Sequence, residues 1–233
     1  MDAPVSEALQ WLQGYSPATA DDPLIRADTN GVEIELPSSG LRFHHSFISG
    51  PMAARAAQST QLLLKACNNK QRNIDTILDV TAGWGVDSYI LARHGQRVTM
   101  LEQNRLVSSI VDYSIELLAD DPATADMASR MKILNTDAVS YLQRPGNDDE
   151  YDCIYLDPMF GTHKSGAKPA KEMQVLQVIT ANMNMDDCFQ LALQNARKRV
   201  VVKRAAKAPR LNSLKPDLVQ RARSVRFDIY LTA

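Results

Sequence analysis

Three short runs carry side chains whose types and spacing suit chemistry. The first is Ile77-Leu-Asp79-Val-Thr-Ala-Gly83-Trp-Gly85-Val86-Asp87, an apolar, β-prone segment that turns through two glycines into a helical pattern stopped by Gly95. The second, Arg97-Val-Thr-Met-Leu-Glu102, is a β-like run with a carboxylate at its end. The third is Cys153-Ile-Tyr-Leu-Asp157-Pro158-Met-Phe160. A strand, a glycine turn and a helix form the front edge of a nucleotide-type pocket. Gly83 and Gly85 let the backbone pass close to a ligand, and the helix start offers free N–H groups. Glu102 lies about 20 residues past the glycines, where a carboxylate grips ribose hydroxyls. A Gly-x-Gly turn alone serves any tight strand-to-helix connection, so the acidic residue at the next strand end weighs in favour of a pocket.

The ligand class follows from what surrounds the glycines. A dinucleotide fingerprint wants a third glycine at position 88, where this chain has Ser88. Asp79 would face a pyrophosphate, which like charge disfavours. It suits a ligand with a positive end instead. S-adenosylmethionine has an α-amino group, a sulfonium and no phosphate, so the run reads as a methyltransferase pocket rather than an NAD pocket. Asp157-Pro158-Met-Phe160 supplies the acceptor half, because it resembles the Asp/Asn-Pro-Pro-Tyr signature of exocyclic-amine methyltransferases. There the side chain and a backbone carbonyl, here of Asp157 and Pro158, accept the two amino hydrogens while the aromatic, here Phe160, stacks on the base. Such a site works by positioning more than by a strong base. The plainer alternative is that Asp-Pro ends a strand and Phe160 packs.

Several elements must hold these residues. From Ile74 onward, strand and helix patterns alternate, which predicts a doubly wound α/β sheet that is mostly parallel. Strands are expected near 76–80, 97–101, 131–135, 153–156 and 199–203, with an antiparallel C-terminal strand at 225–231. After Glu102, Val107, Ile110, Val111, Ile115 and Leu118 share one helical face. Asp79, Glu102, Asp137 and Asp157 all fall at strand ends, so all four carboxylates are expected to rim one cleft. Asp137, followed by Ala138, can meet an adenine edge or cap the next helix, and the two roles are compatible. Helices are expected from about Pro169 to Ala181 and from about Asp186 to Ala196. Before residue 70 the pattern differs. A short helix covers 5–13, and Leu24–Ala27 and Val32–Leu36 flank Asp28-Thr-Asn30-Gly31, read as a hairpin closed by a type I′ Asn-Gly pair. A third strand at 41–47 and a helix from Pro51 to about Cys67 follow. The polar run Asn68–Asn73 marks the boundary, giving a β-rich N-terminal extension over 1–70 and a catalytic domain over 71–233. His44 and His45 are adjacent, so on a strand they point to opposite faces and share no metal.

Composition sets the remaining bounds. The 233 residues are 45% hydrophobic and 23% charged, ordinary for a soluble globular chain. No apolar run reaches ~18 residues, the basic start of a signal peptide is missing, and the three cysteines are scattered. The expected home is the reducing cytoplasm, with no membrane partner. Net charge is −1, yet between Arg197 and Arg226 eleven Lys or Arg accompany one acid, Asp217. That asymmetry predicts a basic face for a polyanion. Lys203, Arg204, Lys207 and Arg210 follow a strand end on the ligand side and are expected to contact RNA phosphates. The competing reading is a solvated tail paired with the acidic runs at 120–121 and 148–150.

Taken together, these runs resemble the RsmJ family of ribosomal RNA guanine-N2 methyltransferases. The resemblance rests on Asp79–Asp87, Met100-Leu-Glu-Gln-Asn104, Tyr155–Phe160, His163-Lys164, Lys171-Glu-Met173, Lys198-Arg-Val-Val-Val-Lys-Arg204 and Arg226-Phe-Asp-Ile-Tyr230, and spans roughly Phe47 to the C-terminus. It implies a class I S-adenosylmethionine-dependent methyltransferase domain with a small N-terminal extension. The implied activity is methylation of a guanine N2 amine in small-subunit (16S) ribosomal RNA. By position it puts cofactor contacts on Val86, Asp87, Glu102, Gln103, Asp137, Ala138 and Asp157. The chain departs from the family at Ala56-Ala-Gln-Ser-Thr, where a basic, glycine-rich stretch is usual, and at Gly161, where proline is usual. Rival readings are an amino-methyltransferase acting on adenine N6 or a protein amide, an RNA-binding protein on an inactive methyltransferase fold, and a dehydrogenase.

Overall fold

The computed structural model describes residues 6–50, 53–54, 61–68, 73–144, 151–158, 171–179 and 184–232. The chain opens with helix α1 (Glu7–Gly14) and strands β1 (Leu24–Asp28), β2 (Gly31–Leu36) and β3 (Leu41–His45), which form an antiparallel sheet in the order β1-β2-β3. Helix α2 (Gln61–Cys67) leads into the alternating part. This comprises β4 (Thr76–Asp79), α3 (Val86–Arg93), β5 (Arg97–Glu102), α4 (Arg105–Asp120), a single turn α5 (Ala125–Ala128), β6 (Met131–Asn135), α6 (Ala138–Leu142) and β7 (Cys153–Leu156). It continues with α7 (Lys171–Ile179), α8 (Met185–Asn195), β8 (Arg199–Ala205), β9 (Leu218–Arg221) and β10 (Val225–Leu231). These seven strands pair in the order β6-β5-β4-β7-β8-β10-β9. β4 to β8 pair in parallel, and β10 runs antiparallel between β8 and β9.

Alternation along each strand splits the core into two layers. Ile77, Met100, Tyr155 and Val201 point to one face, while Leu78, Leu101, Ile154, Val200 and Val202 point to the other. α6 and α8 cover the second face. The first is covered by α2, α3, α4 and α7 together with the N-terminal sheet, whose Val32, Ile34 and Leu36 join the same core as Val107, Ile110 and Val111. Strands covered on both sides need no polar face, which is why Val200-Val201-Val202 reads as one apolar run. α4 buries all five residues of its expected stripe. It starts where Asn104 Oδ1 accepts the Val107 N–H at 3.1 Å, and α1 likewise starts at Ser6, whose Oγ accepts the Leu9 N–H at 3.1 Å.

Two local expectations need correction. The hairpin forms, but its turn is Thr29-Asn30, closed by the Asp28–Gly31 pair, and Asn30 does not have positive φ. Asp28 Oδ1 accepts the Asn30 N–H at 2.7 Å and shapes the turn. Gly31 has φ +142° and lies in β2 itself, where a Cβ would come 2.3 Å from the His45 carbonyl oxygen. Glycine is there for the close approach of β3. The second correction is β9, an edge strand with only Leu218 and Val219 apolar, which periodicity does not reveal. Of the helix expected from Pro51, Gln61–Cys67 is observed and 55–60 lie outside the described residues. α2 packs on the central sheet, where Arg199 Nη1 donates to the Ala66 carbonyl at 2.8 Å. Cys67, Cys153 and Cys188 are buried free thiols. Among the described residues no helix is long and apolar enough to cross a membrane.

Candidate active site

The carboxyl ends of β4, β7 and β8 meet at one edge of the sheet, and there the chain opens a cleft. Asp79, Thr81, Trp84, Val86, Asp87, Tyr155, Asp157, Glu172 and Lys203 line it. The turn after β4 is pinned to its neighbours, since the Val80 N–H donates to the Tyr155 carbonyl and the Ala82 N–H to the Leu101 carbonyl. Gly85 then takes the left-handed conformation (φ +71°) as the N-cap of α3. A Cβ on Gly85 would meet Phe47 and Val111 at 3.2 Å and Met100 at 3.3 Å. Gly85 is therefore required by the core behind the turn, a different reason from the ligand approach expected. The N–H of Gly83 is directed at the Glu102 carboxylate.

Asp79 is 2% exposed. Its Oδ2 accepts the Ser88 hydroxyl at 2.6 Å, and its Oδ1 accepts the Thr81 N–H at 3.0 Å. Ser88, which stands where a dinucleotide site has glycine, thus holds the carboxylate at the cleft floor. Burial pushes the Asp79 pKa up to about 7, against the opposing pull of Ser88 and Thr81, and the nearby carboxylates of Asp87 and Asp157 add to the rise. A buried carboxyl held up in this way accommodates a cationic ligand group, which restores its charged form. Glu102 is 8% exposed at the end of β5, and its Oε1 accepts the Asn104 N–H at 2.8 Å. Burial raises its pKa, and the N–H groups of Asn104, Gly83 and Gln103 oppose that rise.

Asp157 follows β7, and its N–H donates to Thr81 Oγ1 at 2.7 Å. Its Oδ2 lies 2.9 Å from the Lys203 ammonium, which is also 2.7 Å from Asp87 Oδ2. The Tyr155 hydroxyl donates to the same Asp87 oxygen at 2.5 Å. Burial pushes the Asp157 carboxyl up, and Lys203 offsets part of that. Burial works against the charge on Lys203, but Asp157 and Asp87 outweigh it and hold the ammonium well above the ordinary lysine range.

The structure brings together Asp79, Val86, Asp87 and Asp157, and adds Lys203, which the sequence assigned to an RNA surface. Its alternation on β8 turns the Lys203 ammonium inward, between the carboxylates of Asp87 and Asp157. Glu102 and Asp137 stand on the same sheet edge but outside this cleft's lining. Asp137 Oδ1 accepts the Ser140 N–H at 2.8 Å, so it caps α6, and Ala138 is fully buried behind it. The Gln103 carbonyl accepts Asn135 Nδ2 at 3.1 Å. Phe160 lies outside the described residues. Sequence reasoning missed Thr81, Tyr155 and Ser88. Tyr155 carried a signal, because it sits two residues before Asp157 and so shares its face of the strand.

Of the other basic residues, Arg204 donates from Nε and Nη2 to the Pro209 carbonyl, and Lys207 and Arg210 are exposed. Buried Arg226 pairs with Asp228 and donates to the carbonyls of Ala205, Ala206 and Ala208, which clamps the loop after β8. Arg226 pairs across to Arg221 and Arg204, so the exposed Arg221 and Arg223 stand on the same sheet edge as that loop. In the N-terminal sheet His45 is fully buried, 2.8 Å from Ser114 Oγ and 3.0 Å from the Trp84 carbonyl. Burial lowers its pKa to about 4 and keeps the imidazole neutral, a packing role beneath the glycine turn.

A seven-stranded sheet of this order, with an acidic glycine turn after its central strand and an Asp-Pro at the next, defines a class I S-adenosylmethionine-dependent methyltransferase. The SAM_MT family model, which describes SAM-dependent methyltransferases, matches residues 28–232. The "Ribosomal RNA small subunit methyltransferase J" of Nitrosococcus oceani is 32% identical over 205 residues, covering 86% of this chain and 81% of that protein. The protein of the same name from Actinobacillus pleuropneumoniae serotype 5b is 36% identical over 192 residues, covering 80% and 76%. The crystal structure of a SAM-dependent methyltransferase from Neisseria gonorrhoeae superposes with a TM-score of 0.73 at 26% identity, covering 99% of this chain and 93% of that one. The chain belongs to the SAM-dependent methyltransferase family that includes the ribosomal RNA small subunit methyltransferases J.

Proposed function

We propose that this protein methylates the exocyclic N2 amine of a guanine in small-subunit (16S) ribosomal RNA, in the cytoplasm, with S-adenosylmethionine as donor. The observation that carries the reading is Asp157-Pro158 at the end of β7, directly beside the Asp79–Asp87 cleft. The relatives named as small-subunit ribosomal RNA methyltransferases support the substrate. Asp79, Val86 and Asp87 line the donor side of the cleft, with Gly83 and Gly85 in the turn behind them, and Glu102, Gln103, Asp137 and Ala138 continue the donor site along the same sheet edge.

When bound, S-adenosylmethionine supplies a methyl group on a sulfonium. Asp157 and the Pro158 carbonyl accept the two N2 hydrogens and aim the nitrogen lone pair, while Phe160 stacks on the ring. The nitrogen that these residues aim would take the methyl group from the bound donor, and its surplus proton would leave afterwards to Asp157 or to water. Holding the amine at reacting distance is the main contribution of these residues. Lys207 and Arg210 on the clamped loop, with Arg204 beside them, face the RNA backbone, and Arg221 and Arg223 extend that basic edge.

Purified protein incubated with small-subunit ribosomal RNA and methyl-labelled S-adenosylmethionine tests this. Label should appear on guanine N2, Asp157→Ala should abolish transfer, and Asp157→Asn should retain measurable activity, since its amide oxygen still accepts one hydrogen bond. Label on adenine, or full activity of Asp157→Ala at saturating donor, would overturn the reading.

A further inference from the structure

Lys203 has no role in methyl transfer as described so far, yet it lines the cleft beside Asp87 and Asp157. One ammonium touches Asp87 Oδ2 at 2.7 Å and Asp157 Oδ2 at 2.9 Å. The first carboxylate belongs to the donor wall and opens α3, and the second is the acceptor for the amine. The contacts continue on both sides. Tyr155 fixes Asp87 from behind, and Thr81 takes the Asp157 N–H while it donates to Asp79. Among the described residues no hydrogen bond reaches Asp157 Oδ1, so the ammonium holds one oxygen and leaves the other for a substrate.

We propose that Lys203 is a positioning residue for methyl transfer: by bridging Asp87 and Asp157 it sets the acceptor carboxylate in register with the donor wall. The inference rests on the proposed role of Asp157. It follows physically from burying two carboxylates together. Without a cation between them they repel, and one takes up a proton or turns away. With the cation, the repulsion is offset and their orientation is fixed by a short, charge-assisted contact. The charged and titratable groups facing this pair are Asp79, Tyr155, Cys67, Arg204 and Glu172.

Lys203→Met, Lys203→Arg and Asp157→Asn, singly and with Lys203→Met combined with Asp157→Asn, test the proposal. Lys203→Met should lower kcat about a hundredfold, the scale of a misplaced reacting group, with KM for RNA little changed. Lys203→Arg should recover most of that loss. In the Asp157→Asn background Lys203→Met should cost far less, because both act through one carboxylate. If wild-type protein does not methylate the RNA, the functional reading fails, but donor binding still tests the lysine. The ratio of Lys203→Met to wild-type Kd for S-adenosylmethionine should rise severalfold as pH falls from about 8 to 6, as Asp157, no longer offset by the ammonium, protonates. Wild-type kcat in Lys203→Met, or a Kd ratio constant with pH, would overturn the proposal. So would a loss confined to KM for RNA with a reduced salt slope, which marks a phosphate contact. Should Lys203→Met not fold, Lys203→Gln takes its place: a lowered kcat that Lys203→Arg recovers supports the bridge, and wild-type kcat, or loss of RNA affinity without loss of kcat, refutes it.

Discussion

Asp79→Asn should make the ligand-free protein more stable at pH 8 while weakening its hold on S-adenosylmethionine. Asp79 is 2% exposed, and burial lifts its pKa from 3.8 to about 7. At ~1.4 kcal/mol per unit, the roughly three-unit rise corresponds to ~4 kcal/mol of lost stability once the group is ionised in both states. The folded carboxyl holds its proton more tightly than the unfolded one. Wild-type stability from this group is therefore greatest below about pH 4, falls as pH climbs toward 7 and is flat above. Asn carries no charge, so it escapes the decline. Its oxygen still accepts from Thr81, and its amide can donate to Ser88 Oγ, so imperfect hydrogen bonding should cost only about 1 kcal/mol. The net expectation is a gain of about 3 kcal/mol at pH 8 that turns into a loss of about 1 kcal/mol toward pH 4. Urea denaturation of both proteins at several pH values measures it. Asp112, whose pKa burial raises to about 6, contributes equally to both curves and cancels in the difference. A variant less stable than wild type at pH 8, or a difference independent of pH, would refute the reasoning.

Other perturbations read different parts of the account. Gly85→Ala forces a side chain into left-handed backbone against Phe47 and Val111, and should cost about 2–4 kcal/mol in a denaturation titration. S-adenosylmethionine at ~100 times its Kd should add about 2.7 kcal/mol and raise Tm, and NAD should leave Tm unchanged. Reversing the charges of Lys207 and Arg210 should reduce RNA affinity, with donor affinity intact in a titration. The salt dependence of RNA binding should flatten by roughly 0.7–0.9 for each phosphate no longer neutralised.

The alternation of strands and helices was legible because the central strands are covered on both faces and the helices on one. Val200-Val201-Val202 and the stripe Val107, Ile110, Val111, Ile115, Leu118 leave little freedom. β9 was not legible, because an edge strand held mainly by backbone pairing to β10 needs little apolar side chain. Asp79 and Asp157 were correctly placed on one cleft from their strand ends alone, whereas Glu102 and Asp137 share the edge without lining it. The inward turn of Lys203 was not legible, since a basic run does not say which side chains alternate inward. Once β8 is laid beside β7, its fifth residue must face the Asp157 cleft. Gly85 illustrates a similar limit: a glycine required by a core behind a turn and one required by a ligand in front of it look alike in one dimension.

The central claim is tested most directly by nucleoside mass spectrometry of 16S ribosomal RNA from cells lacking this gene. N2-methylguanosine should be lost at one position, return with the wild-type protein and not return with Asp157→Ala. An unchanged nucleoside profile, or the loss of a methylated adenine instead, would contradict it.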